Sequence, residues 1–233
     1  MNKINQEKIW EHFQTDELNV FSGAHPRLSF LAKQVAKGAR VLNIGVGDGF
    51  LESQVLNHGA EAYSLDPSEN TIKKLAAHLG DADGEHFKAG YVESIPFPDS
   101  FFDVVIMSEV LEHLSDKSLS EALQEVHRVL KPGGKFIGTV PADEDLSENS
   151  ILCPCCEARF HRWGHEQSFS KQRFVEVLEN NFVNVVVRRA YFVNWKQCSW
   201  KGKIVAFAKL SVCVLGNGGA GENWQFSVRK GEH

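Results

Sequence analysis

Val41-Leu-Asn-Ile-Gly-Val-Gly-Asp-Gly-Phe50 decides how this chain is read. Arg40 to Ile44 has the apolar character of a short buried strand, and three glycines follow at alternate positions, Gly45, Gly47 and Gly49. Leu51, Val55 and Leu56 then recur at helical spacing. A second apolar run, Glu61-Ala-Tyr-Ser-Leu65, ends at Asp66. Strand, glycine turn, helix and strand open a nucleotide-binding βαβ unit. Glycine suits the turn because the chain must bend tightly and a ligand can approach a backbone with no Cβ in the way. An acidic residue at the tip of the second strand can accept hydrogen bonds from both ribose hydroxyls.

The loop reads Gly-x-Gly-x-Gly, with Phe50 where a dinucleotide loop places its third glycine. Further on come Gly90-Tyr-Val-Glu-Ser-Ile-Pro-Phe-Pro-Asp-Ser-Phe-Phe-Asp-Val-Val-Ile106 and Leu130-Lys-Pro-Gly-Gly-Lys-Phe-Ile-Gly138. With the glycine loop and Asp66, these segments resemble, in order, the motifs of the class I S-adenosylmethionine (SAM)-dependent methyltransferases. The resemblance covers residues 38–141 most firmly. It implies that Gly45, Gly47 and Gly49 line the methionine part of SAM and that Asp66 binds the ribose. It also implies that Val92 and Glu93 lie beside the adenine, and that Ser108 stands where cofactor and acceptor meet. Many relatives carry an acid where this chain has Tyr91, so adenine recognition departs from the pattern here.

The alternation of strands and helices predicts an α/β fold, a doubly wound, Rossmann-like sheet with helices on both faces. By resemblance it has seven strands, mostly parallel, with an antiparallel C-terminal strand, for which Trp224–Val228 is the candidate. One domain spans residues 1–233: N-terminal cap helices (1–37), a SAM-binding core (38–141), a Cys/His-rich insertion (142–170) and C-terminal substrate-side elements (171–233). Residues 3–20 read as an amphipathic helix with Ile4, Ile9, Trp10, Phe13 and Leu18 on one face. Phe21–Arg27 reads as a loop whose His25 and Arg27 either face a substrate or are solvated. Phe136–Val140 reads as the fifth strand, with Lys131–Gly134 as the turn before it. Lys203–Leu215 is a long apolar stretch without acids. It suits a helix packed on the core or on a partner, such as a second copy of the chain, with membrane-surface contact as a sharper reading.

Composition narrows the classes. The chain has 233 residues, 42% of them hydrophobic and 24% charged, as in ordinary globular domains. Lys and Arg number 25 against 30 Asp and Glu, a net charge of −5 that argues against a large nucleic-acid footprint. The polar N-terminus reads as no signal peptide, and no apolar run is long enough for a membrane span. Five cysteines, three of them between Cys153 and Cys156, do not make a disulfide framework, and a reducing cytoplasm is the simplest setting.

Two constellations carry chemistry. Ser108-Glu-Val-Leu-Glu-His113 follows the fourth strand, and His113 could serve as a general base. Glu109, Glu112 and His113 also resemble the Glu-x-x-Glu-His of ubiquinone-pathway O-methyltransferases, where the set can hold a divalent metal. The alternative is that all three are ordinary residues of a helix start. The second is Cys153-Pro-Cys-Cys-Glu-Ala-Arg-Phe-His-Arg-Trp-Gly-His165. Cys153 and Cys156 are spaced C-x2-C and His161 and His165 H-x3-H, a donor set that suits a structural, tetrahedral Zn2+. The other reading keeps His161 and His165 at the substrate mouth with Arg159, Arg162 and Trp163, facing an anionic or sugar acceptor. The two exclude each other at the histidines. The expected activity is in-line methyl transfer from SAM, with S-adenosylhomocysteine as product, to an oxygen of a small-molecule or glycan-type acceptor. A nucleic-acid methyltransferase and a non-catalytic SAM- or zinc-binding regulator are the alternatives.

Overall fold

Strand β4 (Phe102–Ser108) pairs in parallel with β1 (Arg40–Ile44) on one side and with β5 (Leu130–Pro141) on the other. Successive side chains of a strand point to opposite faces, and here both faces are covered. Val105 and Met107 enter one core; Val104 and Ile106 enter the other. That explains why the run is almost wholly apolar rather than alternating. Beyond β1 the sheet continues in parallel through β2 (Glu61–Asp66) and β3 (Phe87–Ala89). Beyond β5 lies β9 (Asn223–Arg229), antiparallel to both β5 and β8 (Val183–Ala190). The strand order is β3-β2-β1-β4-β5-β9-β8, the expected seven-stranded, mostly parallel sheet with one antiparallel strand. The chain order reverses between β1 and β4, so the loops after these two strands flank the crevice where such sheets bind ligands.

This is a computed structural model, and it describes residues 20–81, 83–195, 198–214 and 222–232. The amphipathic helix read at 3–20 lies outside the described residues. Helices α1 (His25–Ala32) and α2 (Phe50–Asn57) cover one face of the sheet through Leu31, Leu51 and Val55. Helices α4 (Asp116–Val129) and α5 (Lys171–Glu179) cover the other through Leu123, Val126, Phe174 and Leu178. Helix α3 (Glu69–Leu79) starts at Ser68, whose hydroxyl accepts the Thr71 N–H, and stacks Ile72 and Leu75 on Val46 and Phe87.

Several local expectations change. His25 and Arg27 are not in a loop: Pro26 occupies the first turn of α1, where its missing N–H costs nothing. Lys131–Gly134 is not a turn before β5 but an irregularity inside it, opposite a register shift between Phe102 and Val104. The insertion contains a small hairpin, β6 (Ser150–Leu152) against β7 (Arg159–His161). Helix α6 (Trp200–Val214) buries Ala206 but leaves Trp200, Ile204, Val205 and Phe207 exposed. No helix among the described residues is long and apolar enough to cross a membrane.

Candidate functional site

Gly45, Gly47 and Gly49 all take positive φ, at 86°, 61° and 78°. Side chains rarely adopt this region, so the loop after β1 forms here because its sequence is glycine at every second position. Asp66, at the end of β2 and 2% exposed, closes the loop from below. Its Oδ2 accepts the Val46 N–H at 3.0 Å and its Oδ1 accepts the Ser68 N–H at 2.9 Å. The carboxylate thus fixes the glycine loop and the start of α3 together. Below the loop lies a support with no motif in the sequence. Glu52, fully buried on α2, accepts 2.7 Å bonds from Asn43 Nδ2 and Ser64 Oγ and so ties α2 to β1 and β2. Burial raises its carboxyl pKa, partly offset by these two bonds.

A second polar group forms at the ends of β4, β5 and β9. Ser108 Oγ lies 3.0 Å from Thr139 Oγ1 and receives a 2.9 Å bond from Arg27 Nε. Glu109 follows with a positive φ of 58°, which turns its side chain back over the strand ends. There it accepts from Asn223 Nδ2 at 3.0 Å and faces the Arg27 guanidinium at 3.8 Å. His25 stacks on Phe50, with ring centroids 3.9 Å apart, and its Nε2 is 2.7 Å from Asp48 Oδ2. The first turn of α1 therefore sits against both the glycine loop and the end of β4.

The three residues Glu109, Glu112 and His113 divide. Glu109 faces the strand ends, whereas Glu112 and His113, on the short 3-10 turn Leu111–His113, face the insertion. Glu112 is fully buried, and neither carboxylate oxygen has a hydrogen-bond partner. His113 Nδ1 donates to the Gly164 carbonyl at 3.2 Å. Burial, reinforced by the neighbouring His165, pushes the His113 pKa down to about 3, so the ring is neutral. Burial also lowers the His161 pKa.

The set Cys153, Cys156, His161 and His165 is not assembled. His161 pairs with Ser150 at one end of the hairpin and Cys153 follows Leu152 at the other, so the strands hold the two pairs apart. Among the described residues, three candidate ligand atoms converge within 4.8 Å at Glu112–His113–His165 and at Glu144–His161–His165, and neither group contains a cysteine. Glu144 was not anticipated. It lies outside the Cys/His motif and reaches the histidines only through the fold, with Oε2 2.5 Å from His165 Nδ1. The Cys153 thiol is held below its usual pKa by backbone N–H groups of Cys156 and Cys155. Val92 is buried in the main core while Tyr91 beside it is exposed, and Glu93 is half-buried. Arg162 lies over the Trp163 ring at 4.5 Å.

Comparison with known proteins agrees with this fold. Residues 42–138 match the family model described as a methyltransferase domain. An uncharacterized methyltransferase of Geobacillus sp. (strain WCH70) is 29% identical over 194 residues, covering 78% of this chain and 87% of that one. A ubiquinone/menaquinone biosynthesis C-methyltransferase of Pectobacterium atrosepticum is 31% identical over 117 residues, 48% of this chain and 46% of that one. In fold, the chain is similar to the Burkholderia thailandensis 1,6-didemethyltoxoflavin-N1-methyltransferase, solved with its acceptor and S-adenosylhomocysteine. The TM-score is 0.67 at 18% identity, covering 97% of this chain and 87% of that one. The match over residues 42–138, with a left-handed glycine loop closed by an acid at the switch point of the sheet, makes this part of the chain a SAM-dependent methyltransferase domain.

Proposed function

We propose that this enzyme methylates a hydroxyl of a small-molecule or glycan-type acceptor seated over the ends of β4, β5 and β9. The observation that carries the reading is the group Arg27, Ser108, Glu109 and Asn223. It is compact, partly exposed and built from hydrogen-bonding side chains, with Arg27 19% and Glu109 23% exposed. Such a group fits one small polar acceptor better than a polymer. Arg27 is paired with Glu109, and Arg189 with Asp143 and Glu222, so neither stands ready for a phosphate backbone. Small acceptors also appear in the names of the quinone-pathway relative and the toxoflavin enzyme.

In this reading Gly45, Gly47 and Gly49 cradle the cofactor's methionine part, Asp66 takes the ribose, Val92 and Glu93 flank the adenine, and Ser108 stands where cofactor and acceptor meet. When bound, SAM supplies a methyl group already activated by its sulfonium. The chain's own task is therefore mainly to position the acceptor. Glu109 is placed to take the hydroxyl proton, and Arg27 and Asn223 hold that carboxylate in place. His113 faces His165 and the Gly164 carbonyl rather than the strand ends, and serves less well as a base.

The test is transfer of labelled methyl from SAM to fractionated cell extract. Label is expected in the small-molecule or glycan fraction, and Glu109→Gln should lower kcat by about 10²-fold or more while leaving S-adenosylhomocysteine affinity near wild type. Label confined to a nuclease-sensitive fraction would support the nucleic-acid alternative instead. Tight S-adenosylhomocysteine binding with no transfer to any fraction would support a regulator.

A further inference from the structure

Glu112 poses a problem that the methyl-transfer reading does not solve. It is 0% exposed, and both carboxylate oxygens lack a hydrogen-bond partner. A buried carboxylate without donors is expensive unless it neutralises or meets a cation. Two histidine rings stand beside it, at right angles to each other with centroids 4.7 Å apart. One ligand atom from each of Glu112, His113 and His165 falls within 4.8 Å of the others.

The hydrogen bonds fix which nitrogen of each ring carries the proton. A carbonyl only accepts, so His113 Nδ1 carries the proton it donates to Gly164 O, and the lone pair is on Nε2. His165 Nδ1 is 2.5 Å from Glu144 Oε2, so its lone pair is likewise on Nε2. Metal-bound histidines characteristically donate their other nitrogen to a carboxylate or a backbone carbonyl, and this structure supplies one of each. His161 is the poorer candidate. Its Nδ1 accepts the His165 N–H at 3.2 Å, which leaves the proton on Nε2. The backbone already docks the two segments: the Glu112 carbonyl accepts the N–H groups of Glu166 and Gln167 at 2.8 and 2.9 Å.

We propose that Glu112, His113 and His165 bind a divalent transition-metal ion of the zinc class, with Glu144 as the outer carboxylate that orients His165. Two imidazoles and one carboxylate form a recognised set for such ions and leave a coordination position open. The ion would pin the insertion to the turn after β4, next to Glu109, and it would not use the cysteines. The site stands independently of which acceptor the enzyme methylates.

The full-length protein, stripped with chelator and re-equilibrated with Zn2+ and separately with Co2+, tests this by elemental analysis and calorimetric titration. One ion per chain is expected, with a Co2+ spectrum free of thiolate charge transfer. Binding should be lost in Glu112→Gln and His165→Ala, weakened about 10–100-fold in Glu144→Gln, and retained in the Cys153→Ser/Cys156→Ser double variant. Should His165→Ala fail to fold, Glu112→Gln, nearly isosteric, carries the test, with circular dichroism confirming its fold. The proposal is overturned if neither ion binds stoichiometrically, or if Glu112→Gln retains the ion. Loss of the ion in the cysteine double variant overturns it as well.

Discussion

A methyl group added at Gly138 would sit 1.7 Å from the Met107 carbonyl oxygen and 2.8 Å from a ring carbon of Phe226. Neither can retreat, since Met107 belongs to the central strand and Phe226 is fully buried. Gly138→Ala should therefore cost about 3 kcal/mol or more of stability, read as a lowered midpoint in urea unfolding. Gly45→Ala is a different case. Its new methyl meets only the end of the Val110 side chain, at 2.7 Å, and the main penalty is the positive φ, about 1–2 kcal/mol. It should fold but bind S-adenosylhomocysteine at least about tenfold more weakly. Equal affinity for wild type and variant would remove the loop from the cofactor site. The contrast shows what is legible at one residue. A demand for positive φ writes itself as glycine, so the loop after β1 could be read directly. The clash that keeps Gly138 comes from a strand remote in sequence, and the direction in which Glu112 points comes from the insertion. Neither leaves a local mark.

Helix α4 shows the same division between pattern and partner. Leu119, Leu123, Val126 and Leu130 recur at helical spacing, and that stripe reads as a helix over Leu119–Leu130 with one buried face. Nothing in that stripe indicated that Arg128 ties the helix to the 95–99 loop. Arg128 bonds Glu125, Asp99 and the carbonyls of Ile95 and Phe97, at 2.6–3.0 Å. Arg128→Ala removes the partner of two carbonyls and two carboxylates, and should cost about 2–3 kcal/mol. The hydrogen bond from Arg128 also holds the Glu125 carboxyl below its ordinary pKa of 4.5. For Asp103, burial acts upward, but the Lys131 ammonium and the Arg40 N–H outweigh it and lower the pKa from 3.8. A depressed folded-state pKa stabilises the fold above the unfolded value and ceases to do so as pH falls through the folded one. Stability should thus decline as pH drops below about 4.5, and less steeply in Glu125→Gln. Urea midpoints measured across that range for the two proteins check the sign; an identical slope would show that Glu125 is not linked to folding. The hairpin β6–β7 was illegible for the opposite reason. Its strands are three residues each, and the Cys/His spacings favoured a compact loop. Pairing Ser150 with His161 instead places the cysteines and histidines at opposite ends.

On the scale of the molecule, the sheet order brings the glycine loop, Asp66, Glu109 and the insertion to one end of the strands, and that gathering was legible because alternating strands and helices admit few topologies. The seating of α6 was not. Apart from Lys203, Lys209 and Ser211, Lys203–Leu215 is apolar, so no clear stripe distinguishes an inward from an outward face. Only the fold reveals that Ala206 is 4% exposed while Ile204 and Phe207 are 62% and 69% exposed. Among its described side chains Ala206 is the buried one, and the bulkiest, Trp200 and Phe207, are exposed. Substitutions at exposed positions usually change stability by no more than about 0.5 kcal/mol each. The double variant Ile204→Lys/Phe207→Lys should therefore unfold within about 2–4 °C of the wild type. Ala206→Asp places an unpaired carboxylate in a closed contact and should lower the midpoint several times further. Thermal unfolding at low protein concentration, where association is suppressed, measures both against the same baseline. If the double variant falls as far as Ala206→Asp, the apolar face is covered by this chain itself. If only Ala206→Asp falls, α6 is a surface helix whose apolar residues do not serve the stability of the single chain.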